Sequence, residues 1–400
     1  MARKTSRYSA AMASASIASR SPSAEPAAGA VAYGAQGAVT ADRHRHLSQP
    51  SNSDRQSAAA RSVQPVGRGF LFSPAIDLLF IANLYWPLLL FVDFFGGVSM
   101  HESLLFWQIY FITAPHRWIT LLLVATDRQR TGGRGLTFAM LAIGILVACL
   151  CLKFGTGSLL CLGVIDYIWN AWHFSSQHHG IFRIYQRKSP TLTDPALTSP
   201  ARLRMEKVVF RVFLLYVIAR VAGWGWTEGP FSGSQWVAGL DWFWLAIPIF
   251  FIMRQAVRTM RDPDTAVAAM AYLTSVMTLF SAMLMAAHFE KSQLVIQLAL
   301  ASAVFHSLEY MSIVSWATRS AKPQSATNMF ARLARIWVLF LAIFVIVIGA
   351  GNYLLSRGMF DLWVLINLVV AFWHYCFDGM IWKSPKPKPA ATMTSLGVAK

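Results

Sequence analysis

The chain has 400 residues, of which 56% are hydrophobic and only 13% are charged. Soluble globular proteins carry about 25% charged residues, so this composition argues against an ordinary soluble domain and predicts a protein embedded in membrane lipids. The net charge of +17 does not predict nucleic-acid binding, because the lysines and arginines lie between apolar segments. The four cysteines form no CxxC pair, which argues against a zinc ribbon or a disulfide framework.

Residues 1–68 are rich in Ala, Ser, Arg and Pro and show no apolar periodicity. We expect this N-terminal tail to be disordered, because it has too few apolar side chains to bury a core. It lacks the continuous apolar run of a secretory signal, whereas an organellar transit peptide or a start codon assigned too far upstream fits its composition. A second disordered tail is predicted at 385–400.

The predicted membrane domain covers residues 69–384 and is an all-α bundle of about ten transmembrane helices. A helix needs about 20 apolar residues to cross a bilayer. The segments that meet this requirement are 73–95, 103–126, 136–152, 157–185, 208–226, 235–253, 266–289, 292–316, 337–355 and 360–382. Basic residues concentrate in alternate connections, which predicts a multi-pass protein of the inner (plasma) membrane with both termini cytoplasmic. Pro87, Pro115 and Pro248 lie inside spans, where proline usually kinks a helix.

Histidines lie at a common depth in spans two, four, eight and ten, all of which are predicted to run from outside to inside. Four of these histidines lie about 13–16 residues into their spans, or roughly 20–24 Å from the outer end. Ionisable groups inside a bilayer are costly and are kept mostly where they function, so we interpret this layer as a metal site. The predicted metal ligands are His116, His173, His178, His179, His306, His374 and Asp378.

Further polar side chains share helical faces with these histidines. On span four, Asp166, Asn170 and Gln177 lie on the face of His173, with the spacing i, i+4, i+7 and i+11. We expect these three to support the cofactor, because a carboxylate or amide one turn from a histidine commonly orients its ring.

Three more residues are predicted to take part in catalysis. They are Glu309, Tyr310 and Arg117. The first two follow His306 on one face of span eight. Arg117 lies inside its span next to His116 and needs an anionic partner, for which Glu309 or an acidic substrate head group is suitable.

The pattern His173-x4-His178-His179 resembles a histidine box of the membrane non-haem iron oxygenases and desaturases of the fatty-acid desaturase type. The spread of histidines over several helices is also similar to the Brp/Blh family of membrane β-carotene dioxygenases. These resemblances imply a site with one or two irons that activates dioxygen and oxidises an apolar lipid or isoprenoid. Its ligands would be the six histidines named above. Such an enzyme also needs an electron donor, which the sequence does not name.

Other functions fit the same pattern. A bis-histidine haem protein that transfers electrons would use histidine pairs on facing helices, with small residues such as Gly163, Gly180 and Gly349 making room for the haem. A proton-coupled transporter would use the histidines and carboxylates as a proton relay, and Pro115 would mark a broken helix. A structural or assembly protein would leave the polar faces without an explanation.

Overall fold

The computed structural model describes residues 69–188, 199–228, 232–319 and 333–382. Within these ranges the chain is 89% helical and contains no strand, which confirms the all-α prediction. The predicted tails at 1–68 and 385–400 lie outside the described residues. So do residues 383 and 384, the last two of the predicted membrane domain.

The longer α-helices of the described chain are labelled in chain order. They are α1 (Trp86–Phe106), α2 (Ala114–Thr126), α3 (Gly135–Thr156), α4 (Leu160–Arg187), α5 (Pro200–Val221), α6 (Asp241–Arg261), α7 (Pro263–His288), α8 (Ser292–Arg319), α9 (Trp337–Gly358) and α10 (Phe360–Ile381). A π-helical segment, Trp107–Thr113, joins α1 to α2, and a 3₁₀ segment, Ser232–Leu240, leads into α6. A short helical segment, Pro74–Ile76 followed by Asp77–Ile81, precedes α1.

Seven helical stretches of the described chain are long and apolar enough to cross a membrane. They are Trp86–Thr126, Gly135–Thr156, Gly233–Arg261, Pro263–His288, Ser292–Arg319, Trp337–Gly358 and Phe360–Ile381. This identifies the chain as a helical membrane protein. Helices α4 and α5 are long enough to cross a membrane but are less apolar than these seven stretches. Helix α5, for example, carries charged side chains from Arg202 to Arg211. The predicted count of ten spans therefore stays a prediction.

The 41-residue stretch Trp86–Thr126 bends sharply at Gly97, which has a φ of 68°. Glycine adopts this left-handed conformation without the steric cost that a side chain would add. The bend brings Nδ1 of His101 to 2.8 Å from Oδ1 of Asp93, although eight residues of straight helix would separate their backbones by about 12 Å. The bend thus lies in the gap between the first two predicted spans.

The prolines affect the helices in different ways. Pro87 lies in the first turn of α1, where its missing N–H has no helical partner to lose, and the first predicted span is interrupted at Ala82–Tyr85. Pro115 lies just after the π-helical segment. Proline has no N–H to donate to the preceding turn, and the wider turns of a π-helix leave room for its ring. Pro248 lies inside the continuous helix α6.

Burial separates central from peripheral helices. Over their most apolar stretches, 61% of α7 and 72% of α8 is buried, compared with 11% of α3 and of α9. The first two helices form the centre of the bundle, whereas the last two present their side chains to lipid. The polar groups His306, Ser307 and Glu309 in the middle of α8 are therefore buried in the bundle.

Candidate metal centre

Four helices each contribute one histidine to a closed arrangement of imidazole rings. His116 comes from α2, His173 from α4, His306 from α8 and His374 from α10. Adjacent ring centroids lie 4.6 Å apart for His173 and His374, 5.1 Å for His116 and His374, 5.2 Å for His116 and His306, and 5.3 Å for His173 and His306. All four side chains are buried. The structure thus brings together the layer of histidines that the sequence predicted.

The closest approach in this arrangement joins Nε2 of His173 to Nε2 of His374, at 3.0 Å. Two neutral imidazoles at this distance can share one hydrogen bond. Two nitrogens that bind one ion, each at about 2.0–2.1 Å, would lie about 3.0 Å apart at a right angle and about 3.4 Å apart in a tetrahedral site. The observed separation is therefore compatible with a shared ion.

His306 lies at the centre of the site and lacks hydrogen-bond partners. Both of its ring nitrogens are buried, and neither has a partner among the described residues. Its ring stacks on Phe174 with a centroid distance of 3.9 Å and an interplanar angle of 16°, which fixes its orientation. An unsatisfied buried polar group costs about 1–3 kcal/mol, so this side chain is costly unless something binds it.

Two groups of candidate ligands share His306. The first group is His116, His306 and His374, and the second is His178, His306 and Glu309. Within each group one ligand atom from every residue lies within 4.8 Å of the others. Imidazole nitrogens and a carboxylate oxygen are suitable ligands for iron, copper or zinc.

Tyr272 and Gln177 hold the carboxylate of Glu309 in place. Its Oε1 lies 3.0 Å from Nδ1 of His178 and accepts a hydrogen bond of 2.7 Å from Nε2 of Gln177. Its Oε2 accepts a hydrogen bond of 2.9 Å from the hydroxyl of Tyr272. Gln177 also donates to the backbone carbonyl of His306, at 3.1 Å. The second group thus lies on α4 and α8, and Tyr272 of α7 supports it.

A chain of hydrogen bonds orients His374 from behind. Its Nδ1 lies 2.7 Å from Oγ1 of Thr120, which lies 2.7 Å from the hydroxyl of Tyr310. That hydroxyl donates to Oδ1 of Asp378 at 2.7 Å. Asp378, predicted as a metal ligand, instead lies outside both groups at the far end of this chain. The chain holds Nδ1 of His374 and leaves Nε2 facing the other imidazoles.

His116 is held in a similar way, because its Nδ1 lies 3.0 Å from Oγ of Ser307. Carboxylates and hydroxyls in such positions commonly set the tautomer and ring orientation of metal-binding histidines. Ser307 and Thr120 were not among the predicted site residues. A sequence signal exists for both, since Ser307 follows His306 and Thr120 lies one turn after His116 on the same face. Tyr272 has no comparable signal.

Arg117 has a different carboxylate partner from the one suggested by the sequence. It interacts electrostatically with Asp166 and Tyr375, whereas Glu309 faces His178. The hydroxyl of Tyr375 donates to Oδ1 of Asp166 at 2.9 Å, and its ring lies 5.0 Å from that of His173. These contacts place a positive charge beside the imidazoles. Asn170, half-buried one turn along α4 from Asp166, takes no part in them.

The structure does not bring His179 to the other histidines. Its Nε2 lies 4.0 Å from Oε1 of Glu206 on α5, and its ring contacts Phe210. It belongs to neither group of candidate ligands. The reason is geometric, because adjacent residues of a helix point about 100° apart and His178 already faces the site.

An apolar groove lies on the exposed side of α4, next to the site. Ile165, Ile168, Trp169 and Trp172 line it, and its volume is about 460 Å³. Trp172 precedes His173 in the chain, and Trp169 packs against Tyr375. The ring of Tyr375 therefore lies between the groove and His173.

Comparison with protein-family models, curated proteins and solved structures gives no match for this chain.

Proposed function

We propose that this chain is a multi-pass membrane metalloprotein whose ion is bound by the histidines at the junction of α2, α4, α8 and α10. The observation that carries the proposal is His306, a buried imidazole with two unpartnered nitrogens that two sets of potential ligands face. A bound ion removes the cost of leaving a nitrogen unpaired, because the nitrogen then donates its lone pair to the metal.

Two metal positions fit the donor set better than one. His116 on α2 and His374 on α10 form one group with His306, and His178 on α4 and Glu309, on the same helix as His306, form the other. Three ligands at each position would leave room for a further ligand such as His173 or a substrate atom. We therefore propose two ions bridged by His306, whose ring would lose its N–H proton so that each of its nitrogens could bind one ion.

We propose that the metal is non-haem iron and that the protein is an oxidoreductase acting on an apolar lipid or isoprenoid. His173 and His178, two of the three histidines in the pattern that resembles a desaturase histidine box, lie at the site and support iron, whereas His179 faces Glu206. The nitrogen-rich set with one carboxylate also suits iron. Bound iron would supply the redox chemistry with dioxygen. The groove beside Trp172 offers apolar side chains to a lipid tail. Arg117 would orient an acidic head group near His173, and an electron donor would complete the cycle.

The haem alternative has less support from the geometry. Two axial imidazoles bind on opposite faces of a porphyrin, so their nitrogens lie about 4 Å apart across an open plane when each iron–nitrogen bond is about 2 Å. Here the nitrogens of His173 and His374 lie 3.0 Å apart, and the rings of His116 and His306 occupy the space beside them. A porphyrin would have to displace these rings.

Elemental analysis of protein purified in detergent tests the metal site. We expect wild-type protein to contain iron, and His306→Ala to lose nearly all of it. His101→Ala serves as the matched control, because this histidine contacts Asp93 and belongs to neither group of candidate ligands. Absence of metal from wild-type protein, or equal metal content in both variants, would contradict the proposal. A Soret absorbance band would instead support haem.

The redox activity needs a separate measurement. Protein reconstituted with a membrane lipid extract, a chemical reductant and ¹⁸O₂ is analysed by lipid mass spectrometry. We expect lipids that have gained ¹⁸O or lost two hydrogens with wild-type protein and not with His306→Ala. A metal-loaded wild-type protein that changes no lipid would leave the metal site standing and reject the oxygenase or desaturase activity.

A further inference from the structure

A second polar cluster lies where the ends of α4, α5 and α6 meet, apart from the histidine layer. Its centre is Glu206, whose side chain is buried. Nη2 of Arg254 lies 2.7 Å from Oε2 of Glu206, and Arg183 and Arg258 also interact with this carboxylate. His179 approaches its other oxygen at 4.0 Å. Two helices, α4 and α6, thus bring three guanidinium groups towards a single acid on α5.

The cluster carries more positive charge than its own carboxylate can balance. Three guanidinium groups against one carboxylate leave two positive charges in excess, and Arg202 adds a further interaction with Arg258. Arg183, Arg254 and Arg258 are each partly buried, and each pair among them interacts unfavourably. An anion bound among these arginines would offset their mutual repulsion.

The cluster also contains buried donors that have no acceptor. Nε of Arg254 and Nε2 of Gln186 are buried and have no hydrogen-bond partner among the described residues. The side chain oxygen of Gln186 already accepts a hydrogen bond from Arg183, so its amide nitrogen is the free end. Gln186 is only 2% exposed, and water therefore does not reach it easily. The basic charge of connecting loops alone does not explain buried donors at this place.

We propose that Arg183, Arg254, Arg258 and Gln186 form a binding site for a phosphate group. A phosphate offers several acceptor oxygens and up to two negative charges, which match the unpaired donors and the excess charge. The group could be carried by an anionic lipid head group or by a small soluble phosphate, since the cluster lies at the helix ends where head groups meet water. This site is separate from the metal centre and does not depend on its function.

Binding measurements with two probes test the proposal and distinguish the sources. Protein in a non-ionic detergent is titrated with sodium phosphate by calorimetry, and separately with phosphatidylglycerol by native mass spectrometry. We expect saturable binding of at least one probe. Saturation by the lipid alone identifies a head-group site, and saturation by phosphate alone identifies a site for a soluble ligand. Binding of neither probe overturns the proposal.

A charge-matched pair of variants locates the binding. The test variant combines Arg183→Gln with Arg258→Gln, and the control combines Arg204→Gln with Arg261→Gln, which are exposed arginines on α5 and α6. We expect the test variant to bind about tenfold more weakly or worse, because two charge-assisted hydrogen bonds are lost, and the control to stay within about twofold of wild type. Equal weakening in both variants would show a general charge effect and reject the site.

A thermal unfolding midpoint close to that of wild type shows that the test variant is folded. Should that variant fail to fold, Arg258→Lys keeps the charge but removes the planar fork of donors. We then expect a loss of about threefold or more in affinity with an unfolding midpoint close to that of wild type. Wild-type affinity in Arg258→Lys would exclude a specific role for this guanidinium.

Discussion

Replacement of His306 by leucine tests the central feature of the metal centre. The two side chains have similar volumes, so the change removes two nitrogens without opening a large cavity. In the metal-free protein each unpartnered nitrogen costs about 1–3 kcal/mol, whereas loss of the stack on Phe174 costs about 0.5–1.5 kcal/mol. With two such nitrogens, we therefore expect His306→Leu to stabilise the metal-free protein by about 0.5–5.5 kcal/mol.

Bound metal should reduce or reverse this difference in stability between the variant and wild type. An ion present at about 100 times its dissociation constant stabilises wild-type protein by about 2.7 kcal/mol for each site, and the variant receives none of this stabilisation. The thermal unfolding midpoint of the variant should thus be the higher one in chelator, whereas with added iron the difference should shrink or change sign. Both conditions are measured on the same detergent-solubilised samples by intrinsic tryptophan fluorescence.

His101→Leu is the control for this experiment. This histidine contacts Asp93 and not the site, so its replacement should change the midpoint by the same amount with and without metal. The reasoning would be refuted if His306→Leu were less stable than wild type in chelator and gained as much from iron as wild type does.

Three further predictions concern the surroundings of the site and the bundle. Tyr310→Phe should lower metal affinity about 10–100-fold in a chelator competition, because it breaks the hydrogen-bond chain behind a histidine. Tyr110→Phe, whose hydroxyl contacts a serine elsewhere, should leave affinity within about twofold, and equal effects would contradict that role. Glu309→Gln should reduce bound metal from about two ions to about one per chain by elemental analysis, and unchanged stoichiometry would reject the second position. Arg220→Met should destabilise the protein by about 3 kcal/mol in denaturant unfolding, since it removes the guanidinium 2.9 Å from the buried carboxylate of Asp241 and leaves it with Tyr216 and His288. Adding Asp241→Asn should recover part of this loss, and a purely additive loss would disprove the coupling.

The sequence predicts most of the long apolar helices closely. The predicted spans 136–152, 266–289 and 360–382 correspond to the helices Gly135–Thr156, Pro263–His288 and Phe360–Ile381. The physical reason is local, because a segment in lipid must satisfy its own backbone hydrogen bonds and does so only as a helix. Length and apolarity along the chain are therefore sufficient to find these elements.

Interruptions of a helix are harder to predict, because they depend on what surrounds the backbone. The break at Ala82–Tyr85 includes Asn83 at a φ of 45°, and its side chain donates to the backbone carbonyl of Phe305 on α8. The composition of the first predicted span contains no sign of that contact, which lies more than 200 residues away along the chain. Asn83 also donates to the backbone carbonyls of Phe80 and Ile81, so local hydrogen bonds and packing against α8 together stabilise this conformation.

For the candidate site, the sequence by itself determined that histidines of four helices lie at one depth, because the rise per residue along a helix is constant. Which of them meet depends on how each helix is rotated about its axis, and packing alone decides that rotation. In the packed bundle, His306 faces two sets of ligands, His179 faces Glu206 and Asp378 faces Tyr310. The depth of each polar group was thus a property of one helix, whereas its partner was a property of the whole bundle.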